Sequence, residues 1–151
     1  MPSIPPLAAS AIREGGCQCG AIRYRIDGDP GMVSVCHCSE CQRQSGSAFG
    51  MTLALRQDQF SLLHGVLKCF VRATDSGRTM QCHFCPDCGN RIYHVTERAP
   101  GEVRLKPGTL DDTRWLQPQV QVWTSRQQPG LELPAQLRAF SRQPQMSPRS
   151  E

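Results

Sequence analysis

The sequence has few large apolar side chains. Ile, Leu, Val and Phe number 30 of 151 residues, and there are two Trp and two Tyr. That is a thin core for a chain of one-domain length, although too rich for a disordered one. No apolar run approaches the ~18 residues of a membrane-crossing helix. The first ten residues, with three prolines, lack a basic stretch followed by an apolar one, so no export signal is expected and the expected compartment is the cytoplasm. Charge of one sign is also never massed. The formal charge of +4 comes from 15 Arg and 2 Lys against 13 acids, spread from Arg13 to Arg149. Nucleic-acid binders concentrate such charge on one face or tail, so this pattern disfavours that partner.

Cysteine is abundant, at nine residues. In a reducing compartment structural disulfides are uncommon, and an odd count fits a fully paired framework poorly. Metal ligation or thiol chemistry is the expectation.

The remaining pattern favours strands. Alternating apolar and polar residues mark 21–26, 51–55, 66–71, 79–84, 91–95, 102–105 and 120–123 as strands. Asp27–Gly31 and Asp75–Gly77 are turns by composition. Asp111–Leu116 suggests a helical turn capped by Asp111 or Asp112. The expected organisation is an N-terminal arm at 1–12, one mainly β domain at 13–133, and a flexible tail at 134–151.

Eight cysteines fall into three groups: Cys17-Gln-Cys19, Cys36-His-Cys38-Ser-Glu-Cys41, and Cys82-His-Phe-Cys85-Pro-Asp-Cys88. Cysteines one or two residues apart can reach one ion from a tight turn. Gly20 and Gly89 follow two of the pairs and permit the left-handed backbone that turns amides toward sulfur. Zinc prefers such thiolates in a tetrahedron. Cys17 and Cys19 with Cys85 and Cys88 would close a four-sulfur site. Cys36, Cys38 and Cys41 would then be three ligands with either an open fourth position, as in catalytic zinc, or a fourth ligand from Cys82, His37 or His83. Cys69 stands alone and is expected to be a small buried hydrophobe.

Three segments in this order, Gly16-Cys-Gln-Cys-Gly20, Cys36-His-Cys-Ser-Glu-Cys-Gln-Arg-Gln-Ser-Gly46 and Phe84-Cys-Pro-Asp-Cys-Gly89, resemble the glutathione-dependent formaldehyde-activating enzyme family, which includes centromere protein V. The resemblance covers about residues 13–125. It implies a zinc-containing β-tent fold and two zinc ions per chain. Cys17, Cys19, Cys85 and Cys88 match the structural zinc, and Cys36, Cys38 and Cys41 the catalytic one. The implied activity is that of a carbon–sulfur lyase, joining a glutathione-like thiol and an aldehyde as an S-hydroxyalkyl adduct such as S-(hydroxymethyl)glutathione.

Arg43, Ser45 and Gly46 follow the second group directly. They are candidates for binding a substrate carboxylate and donating hydrogen bonds, or they form the turn into the next strand. His37 and His83 are candidate general acids, with His64 and His94 behind them; Arg91 is expected to be a surface charge. The chain departs from the family pattern at Cys82, where a basic residue is common, at Cys69, where an aromatic is common, and near Gly130, where a tryptophan is missing. The alternatives are a non-catalytic two-zinc module for a protein or nucleic acid, and a thiol redox or metal-handling protein. Seven thiolates against two dications would remove three charges from the formal +4, which weakens the nucleic-acid alternative further.

Overall fold

A computed structural model describes residues 11–145. Residues 1–10 of the expected arm and 146–151 of the expected tail lie outside the described residues. The fold is mainly β, with eleven strands and one α-helix among the described residues. No helix there is long and apolar enough to cross a membrane. Two compact units divide the chain: residues 11–32 with 52–116, and residues 33–51 with 117–145.

The first unit is built from two antiparallel arrays. One orders β1 (Ile12–Gly16), β2 (Arg23–Asp27) and β5 (Phe60–His64) side by side. The other runs from β4 (Gly50–Arg56) through β9 (Glu102–Leu105), β8 (Arg91–Thr96) and β7 (Thr79–Phe84) to β6 (Lys68–Ala73). The unit boundary falls inside β4. Strand alternation delivers Ile22, Tyr24, Ile26, Leu53, Leu55, Val103 and Leu105 to the interior. Tyr24 stacks on Phe60, which meets Tyr93 edge-on, and Tyr93 stacks on His83. The buried Tyr24 hydroxyl shares a 2.7 Å hydrogen bond with the Thr109 hydroxyl. Gly15 lies beneath it, where a Cβ would strike both the Tyr24 ring and the Thr109 carbonyl.

The second unit holds β3 (Val33–Cys36), α1 (Ser39–Ser45), β10 (Val120–Val122) and β11 (Arg138–Ala139). β10 lies between β3 and β11 and is parallel to both. Val33, Val35, Ala48, Val120, Val122 and Leu137 are buried there. The stretch from 134 to 145, expected to be loose, carries β11 and the buried Leu137. Its anchor is backbone pairing, with Phe140 N–H donating to Gln121 O at 2.9 Å.

The turn expected over 111–116 is there as a single hydrogen-bonded turn, with Leu116 N–H donating to Thr113 O at 3.1 Å. Asp112 caps it, its side chain accepting the backbone N–H and the guanidinium of Arg114 at 3.0 and 2.9 Å. One local expectation is corrected. Cys69 is exposed, because it lies on β6 at the end of its array.

Candidate metal centres

Cys17 sits just past β1, where the chain turns back into β2. Gly20 (φ 81°) makes that turn possible, and its N–H donates to Cys17 O at 3.2 Å. Cys85 and Cys88 sit in the turn between β7 and β8. Gly89 (φ 76°) closes it, its N–H donating to Cys85 O at 2.9 Å. The Gln18 N–H donates to the Asn90 side chain at 3.1 Å and fastens one turn to the other. As a result the sulfurs of Cys17, Cys19, Cys85 and Cys88 all lie within 4.8 Å of one another.

The donor set suits zinc. Zn–S bonds of ~2.3 Å in a tetrahedron require sulfurs about 3.8 Å apart. Cys19 and Cys85 are 3.7 Å apart, and Cys17 and Cys19 3.5 Å. The surroundings favour anionic sulfur unevenly. The Asn90 N–H and then the Cys19 N–H lower the Cys88 thiol to about 6. For Cys17 burial opposes ionisation, yet the Ile22 N–H at 3.2 Å and the Cys19 thiol outweigh it. Cys19 receives help from the Ala21 N–H, but the neighbouring sulfurs, Cys17 foremost, push it up to about 12. A cation among the four removes that mutual repulsion.

The second group is local in sequence. Cys36 ends β3, and Cys38 is the N-cap of α1. The Cys41 N–H donates to the Cys38 sulfur at 3.3 Å. Cys36, Cys38 and Cys41 have their sulfurs within 4.8 Å of one another, and no fourth Cys, His, Asp or Glu completes the set among the described residues. Hydrogen bonds from the Cys36 and Cys41 thiols hold Cys38 down at about 2. The same neighbours, with burial, push Cys36 far up. Three soft donors that crowd one negative charge between them again fit zinc. Gly50 lies behind Cys41, and a Cβ there would meet the Cys41 Cβ at 3.1 Å.

The other expected residues divide. His37 is buried, with Nε2 2.9 Å from the Gln121 side chain and its ring edge-on to Phe49. Its Nδ1 has no hydrogen-bond partner. Cys82 is fully buried on β7 and belongs to neither sulfur group. His83 is stacked on Tyr93, and His64 Nδ1 lies 3.0 Å from Ala21 O. Arg43 and Gly46 line an open hollow of about 570 Å³ with Gln42, Ser47, Ala48, Gln128 and Leu131. Gly46 is also the C-cap of α1, at φ 60°. The exposed Ser45 hydroxyl donates to Gln42 O at 3.3 Å, a bond within α1.

Gln42 and Gln128 had no signal in the sequence. Gln42 Nε2 donates to His37 O at 2.8 Å and to Arg126 O at 3.0 Å, tying α1 to the segment that carries Cys36 and Cys38 and to the chain after β10. Gln128 Nε2 donates to Gln42 Oε1 at 3.0 Å. A neutral amide takes on such a role only through the fold.

Comparison with known proteins matches residues 12–126 to the model of the glutathione-dependent formaldehyde-activating enzyme family. A Halomonas elongata protein, named as a candidate enzyme of that type, is 30% identical over 105 residues, 66% of this chain and 66% of its own. A Penicillium rubens protein with the same designation is 27% identical over 132 residues, 78% of this chain and 68% of its own. The chain thus spans about two thirds of the length of these relatives. A crystal structure of a Rhodobacter sphaeroides protein shares the fold, with a TM-score of 0.53 at 21% identity, covering 65% of this chain and 87% of that one. The chain belongs to the glutathione-dependent formaldehyde-activating enzyme family.

Proposed function

We propose that this protein is a zinc-dependent carbon–sulfur lyase that adds a glutathione-like thiol to formaldehyde or another small aldehyde, and reverses the addition. The observation that carries the reading is the second sulfur group, with three cysteines and no fourth protein ligand among the described residues. Two zinc ions per chain are part of the proposal, one structural at Cys17, Cys19, Cys85 and Cys88, and one catalytic at Cys36, Cys38 and Cys41. When bound at the three sulfurs, zinc supplies Lewis acidity that lowers the pKa of a thiol entering the fourth position.

The chain's own residues define the rest. The Cys41 N–H and the α1 N-terminus stabilise negative charge on Cys38. Gln42 fixes α1 against the backbone that carries His37. Arg43 presents a guanidinium to the hollow, where it pairs with a carboxylate of the thiol, and Gly46 leaves room for the ligand's backbone. In the addition, the sulfur forms a bond to the aldehyde carbon, the C=O π pair moves to oxygen, and the proton lost by the thiol is gained by that oxygen. The product is a hemithioacetal, and no oxidant is needed.

The test combines metal analysis with sulfur counting by X-ray absorption. The expectation is two zinc per chain and one additional sulfur on half of the zinc once glutathione is added. A single zinc per chain, or a second zinc indifferent to glutathione and to other small thiols, overturns the enzymatic reading in favour of a binding module.

A further inference from the structure

The chain from Val33 to Cys38 alternates between two sides. Val33, Val35 and His37 are buried, whereas Ser34, Cys36 and Cys38 are half-buried. This is the period of a strand, carried two residues past the end of β3. Cys36 and Cys38 therefore share one side of the segment, and the His37 ring takes the other. A position that continues Val33 and Val35 suits an apolar side chain. A histidine there is costly unless its ring nitrogens are bonded, and only one of them is.

The rest of His37 is held firmly. Its N–H donates to Val122 O at 3.1 Å, and its carbonyl accepts Gln42 Nε2 at 2.8 Å. Nε2 lies 2.9 Å from Gln121 Oε1, both side chains are buried, and the ring meets Phe49 edge-on at 5.8 Å. A carboxamide oxygen only accepts, so Nε2 carries the ring proton. Nδ1 is buried with no partner among the described residues, so a proton there would find no acceptor. Gln121 is fixed from behind. It pairs with Val35 in the β3–β10 register, and its carbonyl accepts the Phe140 N–H at 2.9 Å.

His37 is the single residue between two cysteines of the second sulfur group, so its backbone angles set the separation of their sulfurs. We propose that His37, pinned by Gln121, is the positioning residue of the second zinc site. The Nε2–H···Oε1 bond holds the Cys36–Cys38 segment in its ligating shape before the metal arrives. The ring lies across the segment from the sulfurs, and its one proton is committed to Gln121. It is therefore neither a ligand nor the general acid. The inference rests on the proposed second zinc, and not on the thiol chemistry carried out there.

The test uses the full-length, zinc-loaded protein. Gln121→Leu removes the acceptor and nearly keeps the side-chain volume, and Gln121→Glu keeps an acceptor for the same N–H. Chelator competition reads the two zinc ions, and imidazole nitrogen chemical shifts read the His37 tautomer. The parent should show the proton on Nε2. Gln121→Leu should release the second zinc about tenfold more readily and retain the first, which reports that the variant folds. Gln121→Glu should hold the second zinc as the parent does. Combining Gln121→Leu with His37→Phe should cost no more than the larger single change, because the two residues act through one bond. Should Gln121→Leu lose both ions, His37→Phe replaces it with the same expectation. An unchanged second zinc in the folded variant, an equal loss in Gln121→Glu, or a parent proton on Nδ1 overturns the assignment. A parent with one zinc overturns it together with the lyase reading. Two zinc ions with the expected losses, but no response of the second to glutathione or other small thiols, count against the lyase reading alone.

Discussion

The backbone N–H of Cys41 donates to the sulfur of Cys38 at 3.3 Å, so one side chain is both a candidate metal ligand and the cap of α1. The helix is seven residues long and buries none of them. Its ends therefore carry its stability: the Cys38 sulfur at the start, and the left-handed Gly46 at the finish.

Substitution at Cys38 separates the two duties. Serine is a preferred N-cap and a poor zinc ligand; alanine is neither. Cys38→Ser should lose the second zinc, falling from two to one per chain, while the Cys41 amide stays protected from hydrogen exchange. Cys38→Ala should lose both zinc and protection, with a further cost of about 1 kcal/mol from the missing cap. Equal exchange in the two variants would show that the cap contributes nothing.

Gly50 tests how closely the second group is packed. A methyl group there would sit 3.1 Å from the Cys41 Cβ and 3.5 Å from its sulfur. That is tight enough to displace Cys41 by a few tenths of an ångström without blocking the fold. Gly50→Ala should therefore weaken the second zinc, by about tenfold in a chelator competition, and leave the first unchanged. An unaltered competition curve would mean that Cys41 is not held in place from that side.

Sequence and structure part ways for physical reasons. β7 and β9 could be read from alternation because each has a protected face, and their bounds coincide with those expected at 79–84 and 102–105. β5 could not, since four of its five residues are exposed and no periodicity is selected. α1, Ser-Glu-Cys-Gln-Arg-Gln-Ser, has no apolar stripe at all. The sulfur groups were visible in their spacing because ligand geometry leaves its mark within a few residues. The Gln42 network was not, because besides the nearby His37 its partners are Arg126 and Gln128, 84 and 86 residues away, and bonds of that span leave no local pattern.

The two sulfur groups should differ sharply in what their loss costs. Cys19 and Cys85 are 66 residues apart in the chain, so a metal there closes a long loop. By analogy with a cross-link of that span, its removal costs on the order of 4 kcal/mol. The second group lies within 36–41 and closes almost no loop. Cys88→Ser should therefore lower the thermal midpoint markedly and give a broad, less cooperative transition. Cys41→Ser should leave the midpoint within a few degrees while removing one zinc. Similar midpoints for the two variants would contradict the proposed division into structural and catalytic ions.

His94 gives the fold a predictable weakness to acid. Its folded pKa, about 3, lies below the ordinary 6.5 because burial and the cations Lys106, Arg104, Arg91 and Arg72 disfavour the imidazolium. Between those values the unfolded chain binds a proton that the folded one refuses, so stability rises with pH across the window. The contribution is complete above about pH 6.5 and is lost progressively as pH falls towards 3. One pKa unit is worth about 1.4 kcal/mol, so by pH 4 the loss is on the order of 3 kcal/mol. His94→Gln removes the titrating group and keeps a polar side chain. Urea titrations of the zinc-loaded protein at pH 7 and pH 5 should show a smaller drop for this variant than for the parent. Zinc release in acid is common to both proteins and cancels in that difference. Identical drops would mean that His94 is protonated in the folded protein, and that the surrounding cations do not act on it as described.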